Sequence, residues 1–176
     1  MERRLVIKQV LIMAAGLSLL PSCLKESGKS TILLNNLDIS LDQEKLLAEI
    51  AETLIPKTDT PGAKALNLHL FVLKMLDDCY AGTDQQQFIA GLDQLEDQAS
   101  RRFNKSFANL SLRQRELLLM DIETHPDKAA ALSAFYRIMK EQTINGYLQS
   151  KYVMTNLIVW ELVPGRYNGY FPVKSA

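Results

Sequence analysis

A chain of 176 residues has room for one domain of ordinary size with a single core. Twenty basic residues balance twenty acidic ones, so the formal net charge is zero and no sequence-wide attraction draws the chain to nucleic acid or acidic lipid. Cys23 and Cys79, the two cysteines, belong to no CxxC, CxxCH or cysteine–histidine cluster with metal spacing, which disfavours haem attachment and structural zinc.

Residues 1–23 have the layout of a signal peptide. Arg3, Arg4 and Lys8 give a basic start, and the apolar run that follows is shorter than the roughly 20 residues that a membrane span needs. The arginine pair, the apolar residues and the closing lysine resemble a twin-arginine export signal, although Glu2 stands where Ser or Thr is usual. We predict export, with a buried N-terminal helix as the alternative.

The end of this segment, LPSC at residues 20–23, resembles a bacterial lipobox, in which the cysteine becomes the lipidated first residue of the mature chain. Pro21 is an unusual occupant of that motif. Lipidation of Cys23 would anchor the protein to a membrane and leave Cys79 as the only thiol, so no intrachain disulfide could form. Cys79 is then predicted to be a small buried side chain.

Residues 38–176 are predicted to form one domain, joined to the anchor by a tether at residues 24–37 that mixes Ser, Gly, Lys and Asn with little periodicity. Apolar residues recur at three- and four-residue spacings through the domain, which is typical of amphipathic helices. Capping-box sequences predict helix starts at Ser40, Thr83 and Ser111. The fold class is therefore all-α, a single-domain bundle of about five helices.

A loop of turn-forming residues separates the first two predicted helices, beginning at the helix stop Pro56. Asp59 suits an Asx-turn, and Thr60 followed by Pro61 is typical of an N-cap with proline at the first helical position. Alternatively, Pro61 and Gly62 are the central residues of a type II turn.

The ionisable side chains of the predicted helices show no catalytic geometry. No second histidine or carboxylate has a helical spacing that matches His69, so this side chain is predicted to be partly exposed or hydrogen-bonded. Asp77 and Asp78 are adjacent and do not face each other, which predicts a solvated helix end. Positions two apart point away from one another, and the same reason disfavours a metal site at Asp121, Glu123 and His125. No catalytic, cofactor-binding or metal-binding residue is assigned.

The fifth predicted helix, residues 127–148, is the longest, and its Gly146 marks a close contact or the start of its end. Beyond an apolar stretch, residues 163–172 form an extended, glycine-rich aromatic tail that cannot be a regular helix. Two interpretations of the tail stay open. It packs across the helices with Trp160 in the core, or its aromatic residues and Arg166 contact another protein, since such residues are enriched at interfaces.

Three segments in order resemble one known family. They are IAETLIPKTDTPGAKALNLHLFV at residues 50–72, FYRIMKEQTINGYLQS at 135–150 and VPGRYNGYFPV at 163–173. Together they are similar to the gluconate 2-dehydrogenase subunit 3 family, the small subunit of membrane-associated flavin dehydrogenases. The resemblance spans nearly the whole mature chain, and its most specific piece is the loop at residues 55–63.

The resemblance implies a non-catalytic small subunit of a periplasmic oxidoreductase complex. In such complexes a large FAD-dependent dehydrogenase of the GMC type oxidises a sugar or sugar acid, and a cytochrome subunit with haem c takes the electrons. The small subunit binds the flavoprotein and commonly carries its twin-arginine signal. FAD and haem c would then belong to partners, and this chain alone would bind no cofactor, no nucleic acid and catalyse no reaction. The hypothetical partner interface comprises Thr58, Asp59, Thr60, Pro61, Arg166, Tyr167, Tyr170 and Phe171.

An alternative function is a free-standing periplasmic lipoprotein that acts as a binding module or chaperone, because helical stripes look alike in both cases. An independent hydrolase or redox enzyme is disfavoured by the lack of mutual geometry among its carboxylates and histidines. In either of the first two cases the expected location is the periplasm, with a lipid anchor at Cys23.

Overall fold

The structure is a computed structural model that describes residues 28–158, Gly165 and residues 168–170. Within these residues five α-helices form the domain, which confirms the predicted all-α bundle; they are α1 (Leu41–Leu54), α2 (Leu68–Cys79), α3 (Gly82–Phe103), α4 (Leu112–Thr124) and α5 (Ala130–Leu148). Short helical turns at Phe107–Asn109, Pro126–Lys128 and Val153–Leu157 follow α3, α4 and α5. Within the described residues, β pairing is limited to an isolated antiparallel bridge between Lys29 and Ser40.

Helix α5 lies at the centre of the bundle and packs against each of the other four helices. Its inward face carries Phe135, Ile138 and Met139, all almost completely buried. The Phe135 ring packs on Phe88 of α3 with ring centroids 4.8 Å apart. Among the helices that the structure describes, none is long and apolar enough to cross a bilayer.

Two of the three predicted capping boxes are present. The Ser40 hydroxyl accepts from the Gln43 N–H at 3.2 Å, and the Gln43 side chain accepts from the Ser40 N–H at 3.0 Å. Ser111 and Gln114 repeat the arrangement at the start of α4. The capping box predicted at Thr83 is wrong, because α3 begins earlier, after Ala81.

Gln85, which lies between Thr83 and the predicted capping residue Gln86, has a task in the preceding helix. Its Nε2 donates to the carbonyl oxygens of Leu76, Asp77 and Tyr80, at 3.0, 3.3 and 3.2 Å. These carbonyls end α2, where the helix leaves its last carbonyl groups without intrahelical partners. Gln85 therefore closes the end of the preceding helix rather than the start of its own.

The start of α2 differs from both predicted alternatives. The helix begins at Leu68, after Asn67 in the left-handed conformation with φ 53°. No described glycine has a positive φ, so Gly62 is not the left-handed position that a type II turn requires. The predicted Asx-turn is also wrong, because the Thr58 N–H donates to the Thr60 carbonyl at 3.1 Å while Asp59 is exposed.

The fifth helix is not the longest, as α3 has 22 residues and α5 has 19. Pro126 starts a separate 3₁₀ turn that includes Asp127, and Ala129 is extended with φ −156°, so α5 begins only at Ala130. The predicted close contact at Gly146 is present, since a Cβ there would lie 2.8 Å from Cδ1 of Phe71.

A closer helix contact, which the sequence did not indicate, lies at Gly91 of α3. A Cβ at this position would lie 2.4 Å from both the Ala131 carbonyl oxygen and the Phe135 Cβ of α5. No side chain fits there without moving a helix backbone. Gly91 therefore sets how closely α3 and α5 approach.

Residues 28–37, called here the N-terminal strap, pack onto the helices although the sequence predicts a tether over residues 24–37. Buried Glu44 of α1 accepts from the Thr31 N–H at 2.6 Å and the Thr31 hydroxyl at 2.7 Å. Leu37, at the end of the strap, is buried in the core. The part of the predicted tether that the structure describes is thus fixed to the domain, and residues 24–27 lie outside the described residues.

Asp77 holds the far end of the strap. Its carboxylate is buried and accepts the backbone N–H groups of Asn35, Asn36 and Leu37 at 2.8, 2.7 and 3.0 Å. Burial alone would raise the pKa of Asp77, but the three N–H donors, helped by Lys74, hold it below its usual value. The prediction of a solvated helix end is wrong for Asp77 and holds only for exposed Asp78.

Three other side chains differ from their predicted environments. Cys79 is exposed rather than buried, because it lies in the last turn of α2 on the side away from the core. Leu117, which belongs to the apolar pattern that predicts the fourth helix, is 45 % exposed. His69 is only 9 % exposed and its Nδ1 has no hydrogen-bond partner, and burial is the main cause that lowers its pKa.

Asp77→Ala should destabilise the domain by about 3 kcal/mol or more, because three backbone donors lose their acceptor. Urea unfolding at neutral pH checks this, with Asp78→Ala as the matched control that should leave stability unchanged.

A second variant, Asp77→Asn, tests whether the negative charge of the Asp77 carboxylate contributes to stability. In the wild type, the contribution of Asp77 to the free energy of unfolding is complete above its usual pKa of 3.8 and is lost as the pH falls toward its lower pKa in the folded state. The asparagine variant should not show this loss of stability in acid.

Gly91→Ala should destabilise the domain by about 2 kcal/mol or more, since the new methyl group overpacks the contact with α5. Gly82→Ala is the control, because a Cβ there would meet nothing within 4 Å. Thermal unfolding followed by circular dichroism compares the two variants. Equal melting temperatures would show that α3 can move away from α5 at little cost.

Candidate functional site

The loop at residues 55–64 is built around the carboxylate of Glu52, in the last turn of α1. Glu52 accepts the backbone N–H groups of Lys57 at 3.2 Å and Lys64 at 2.8 Å. A Cβ on Gly62 would lie 2.5 Å from one Glu52 carboxylate oxygen, so only glycine leaves room for this carboxylate. The Ala63 N–H donates to the Ile55 carbonyl at 2.9 Å and closes the loop. The fold of the loop therefore requires Glu52 and Gly62.

The tip of the loop carries the four residues predicted to contact a partner. Thr58 and Asp59 are exposed, while Thr60 and Pro61 are half-buried. The Tyr147 hydroxyl donates to the Thr60 hydroxyl oxygen at 3.1 Å and joins the loop to the C-terminal end of α5. Thr60 therefore has a structural contact, and the exposed tip is free to meet another molecule.

The predicted tail residues are described only in part. Tyr170 is 97 % exposed and does not pack on the helices. Arg166, Tyr167 and Phe171, as well as Trp160, lie outside the described residues. Both interpretations of the tail stay predictions, although exposed Tyr170 agrees better with a contact to another protein.

Exposed large apolar side chains are frequent in the C-terminal part of the domain. Helices α1, α2 and α3 have no large apolar side chain among the most exposed, whereas α4, α5 and the turn after α5 have several. Large exposed apolar patches on soluble domains commonly mark interaction sites. We call this set the apolar face; it comprises Leu112, Leu117, Met120, Ile144, Leu148, Leu157 and Ile158.

A groove of about 390 Å³ lies between α4 and α5, beside this face. Ile122, Pro126 and Ile144 are among the apolar residues that line it. At its edge Glu123 accepts a hydrogen bond from the Tyr136 hydroxyl at 2.8 Å and pairs with Lys140. The two donors, Lys140 first, lower the pKa of Glu123, whereas burial and the nearby carboxylate raise that of Tyr136. The groove thus has an apolar floor and a fixed, charge-balanced rim.

The apolar face and the loop meet at the C-terminal end of α5. Arg137, Glu141, Ile144 and Leu148 follow one another at four- and three-residue spacings, and all four are exposed. This stripe ends beside Tyr147, which holds the loop. The chain also leaves α5 here toward the tail. The structure therefore brings together the predicted loop and an apolar helix face.

Among the described residues, no group of three or more His, Cys, Asp or Glu side chains could hold a metal ion. The Asp121 carboxylate pairs with His125 Nδ1 at 3.1 Å, while Glu123 turns toward α5. The apolar face and the groove can bury apolar area against another protein. The loop tip and Arg137 would supply polar contacts at the margin of such an interface.

Sequence reasoning missed the apolar face and the carboxylates that hold the loop and strap. A signal for the face was available: Ile144 and Leu148 lie outside the helical stripe of Phe135, Ile138 and Met139. Nothing local marks Glu52 as the acceptor of two loop amides, because that role depends on how the chain folds back. The same holds for Asp77, whose partners are about forty residues earlier.

Comparison with known proteins identifies one family. The family model described as gluconate 2-dehydrogenase subunit 3 matches residues 41–165, which include all five helices and the loop at residues 55–64. No curated protein and no solved structure gives a significant match. Since the match covers well over half of the chain, this protein belongs to the gluconate 2-dehydrogenase subunit 3 family.

Proposed function

We propose that this chain is the non-catalytic small subunit of a periplasmic, FAD-dependent oxidoreductase complex. The observation that carries the proposal is the family match over residues 41–165, because the family is a subunit of a multi-subunit gluconate 2-dehydrogenase complex. A subunit needs a surface for its partner. The apolar face beside the groove between α4 and α5 supports the proposal, because its side chains stay exposed in the described part of the chain and could be covered by a partner.

The partner in this proposal is the large flavoprotein subunit, a GMC-type dehydrogenase that holds FAD, with a haem c cytochrome as the possible electron acceptor. Ile144 and Leu148 would be buried in the contact, and the exposed tip at Thr58 and Asp59 would lie at its margin. The aromatic tail at residues 163–172 would add further contacts. The chemistry takes place in the partner, and this chain contributes binding energy and stability.

Export and anchoring are the second part of the proposal. Arg3, Arg4 and Lys8 would direct the folded complex through the twin-arginine route. The Cys23 thiol would lose its proton and form a thioether with the diacylglyceryl group of a membrane phospholipid, whose glycerol phosphate headgroup leaves. The two acyl chains of this group would anchor the protein stably, since two lipid chains hold a protein on a membrane much more firmly than one.

A deletion of this chain should leave the flavoprotein subunit in the cytoplasm, and so should replacement of Arg3 and Arg4 by lysine, because the signal lies in the small subunit. Cell fractionation with an assay of flavin-dependent dye reduction measures both. Lys8→Arg is the matched control, since it keeps the basic charge, and should not affect export. Export of active flavoprotein without this chain would contradict the accessory role and favour the free-standing binding module or chaperone.

Ile144→Glu combined with Leu148→Glu should weaken capture of the flavoprotein by the tagged small subunit at least tenfold, because two charges would be buried at the contact. The flavin absorbance of the eluate measures the captured partner. Both side chains are already exposed, so the unfolding free energy should be unchanged.

A control for this pair is Gln87→Glu combined with Gln94→Glu, on the exposed side of α3. It adds the same charge where no large apolar side chain is exposed, and capture should stay at the wild-type level. Equal capture by both double variants would place the flavoprotein contact elsewhere on the domain.

A further inference from the structure

We infer that the N-terminal strap forms a membrane-facing surface, which holds the domain on lipid in one orientation with the loop at residues 55–64 directed away from the bilayer. The inference rests on the lipid anchor at Cys23 in the proposed function. It concerns a surface that lies outside the family match, which begins at residue 41.

The strap fixes where the folded domain begins. The Leu41 N–H donates to the Gly28 carbonyl, and the Ser30 N–H donates to the Ile39 carbonyl at 3.0 Å. Glu44 and Asp77 then accept five hydrogen bonds from Thr31 and from the residues at 35–37. Both carboxylates are buried, so the strap is held from Gly28 onward.

The covalent distance from the anchor to this fixed point is short. Five residues along the chain from Cys23 to Gly28 span at most about 18 Å. A domain of this size has a radius of gyration of about 15 Å and is roughly 40 Å across, so the anchor cannot reach around it. With a free tether over residues 24–37 the reach would be about 50 Å, and any face could meet the membrane.

The strap presents side chains that suit a lipid surface. Leu33 is 84 % exposed, the most exposed of the large aliphatic side chains that the structure describes, although strap residues on either side of it are fixed. Lys29 and Lys45 are exposed nearby and can meet phosphate headgroups, with Asp42 beside Lys45 limiting the net charge. Leu33 can thus insert into the bilayer beside the lipid anchor and hold the strap against it.

The partner loop lies at the other end of α1. The strap contacts the first turn of α1 through Glu44, whereas the loop folds around Glu52 in the last turns. The 14 residues of α1 separate the two ends by about 20 Å. The flavoprotein would therefore bind on the side of the domain that is away from the bilayer.

Fluorescence quenching of the lipidated full-length protein in vesicles of phosphatidylcholine and phosphatidylglycerol tests this orientation. Exposed Cys79, close to Asp77 at the strap end, carries a thiol-reactive fluorophore as the near probe. Asp59→Cys in a Cys79→Ser background carries the same fluorophore as the far probe. Lipid with a nitroxide on its headgroup should quench the near probe at least threefold more, and a twenty-residue Gly/Ser insertion after Lys25 should remove the difference.

Flotation of the vesicles separates the two ways to fail. If the protein floats and both probes are quenched equally, or the far probe more, the orientation is wrong while the anchor stands. If the protein does not float and its mass shows an unmodified Cys23, the anchor fails and the orientation with it. Loss of the quenching difference between the two probes in the lipidated Leu33→Asp variant, with retention in Asp38→Asn, would support Leu33 as the contact that orients the domain, and an unchanged difference in Leu33→Asp would exclude it.

Discussion

The close approach of α3 and α5 at Gly91 is the constraint on which the rest of this domain depends. Because no side chain separates the two helices there, Phe135 packs directly on Phe88, and α5 becomes the surface on which the remaining helices lie. The position of α5 then decides where its C-terminal end emerges. That end holds the loop through Tyr147, and it carries the exposed Ile144 and Leu148. Core packing thus determines which surface is left uncovered.

Buried or partly buried carboxylates fix the segments that lack regular structure. Backbone N–H groups near a core need acceptors, and strap and loop have no strand partner that supplies them. Asp77 and Glu44 meet this need for the strap, and Glu52 meets it for the loop. Each of these side chains projects from a helix, so the helices act as the fixed frame. Ionised carboxylates suit the task because charge-assisted hydrogen bonds are about twice as strong as neutral ones.

The sequence was sufficient for the helices and insufficient for what joins them. Periodic apolar residues and the serine caps at Ser40 and Ser111 are local signals, and they located α1 and α4 well. Thr83 has the same local signal, but α3 begins directly after Ala81, so Thr83 lies inside the helix rather than at its cap. The strap looked like a tether because its stabilising acceptors are distant in sequence. The apolar face was missed because apolar residues at helical spacing are usually assigned to the core, whereas Ile144 and Leu148 are exposed.

The loop at residues 55–64 contains some residues that the fold requires and others that are exposed and available to a partner. Gly62 is required by the Glu52 carboxylate, and Thr60 by the Tyr147 hydroxyl, so part of the motif serves the domain itself. Thr58 and Asp59 are exposed, and the Asp59 side chain makes no hydrogen bond that would stabilise the turn. Packing therefore gives no reason for these two residue types. This protein belongs to a family of complex subunits. A contact with a partner subunit would account for Thr58 and Asp59, the two residues of the motif that the fold leaves unexplained.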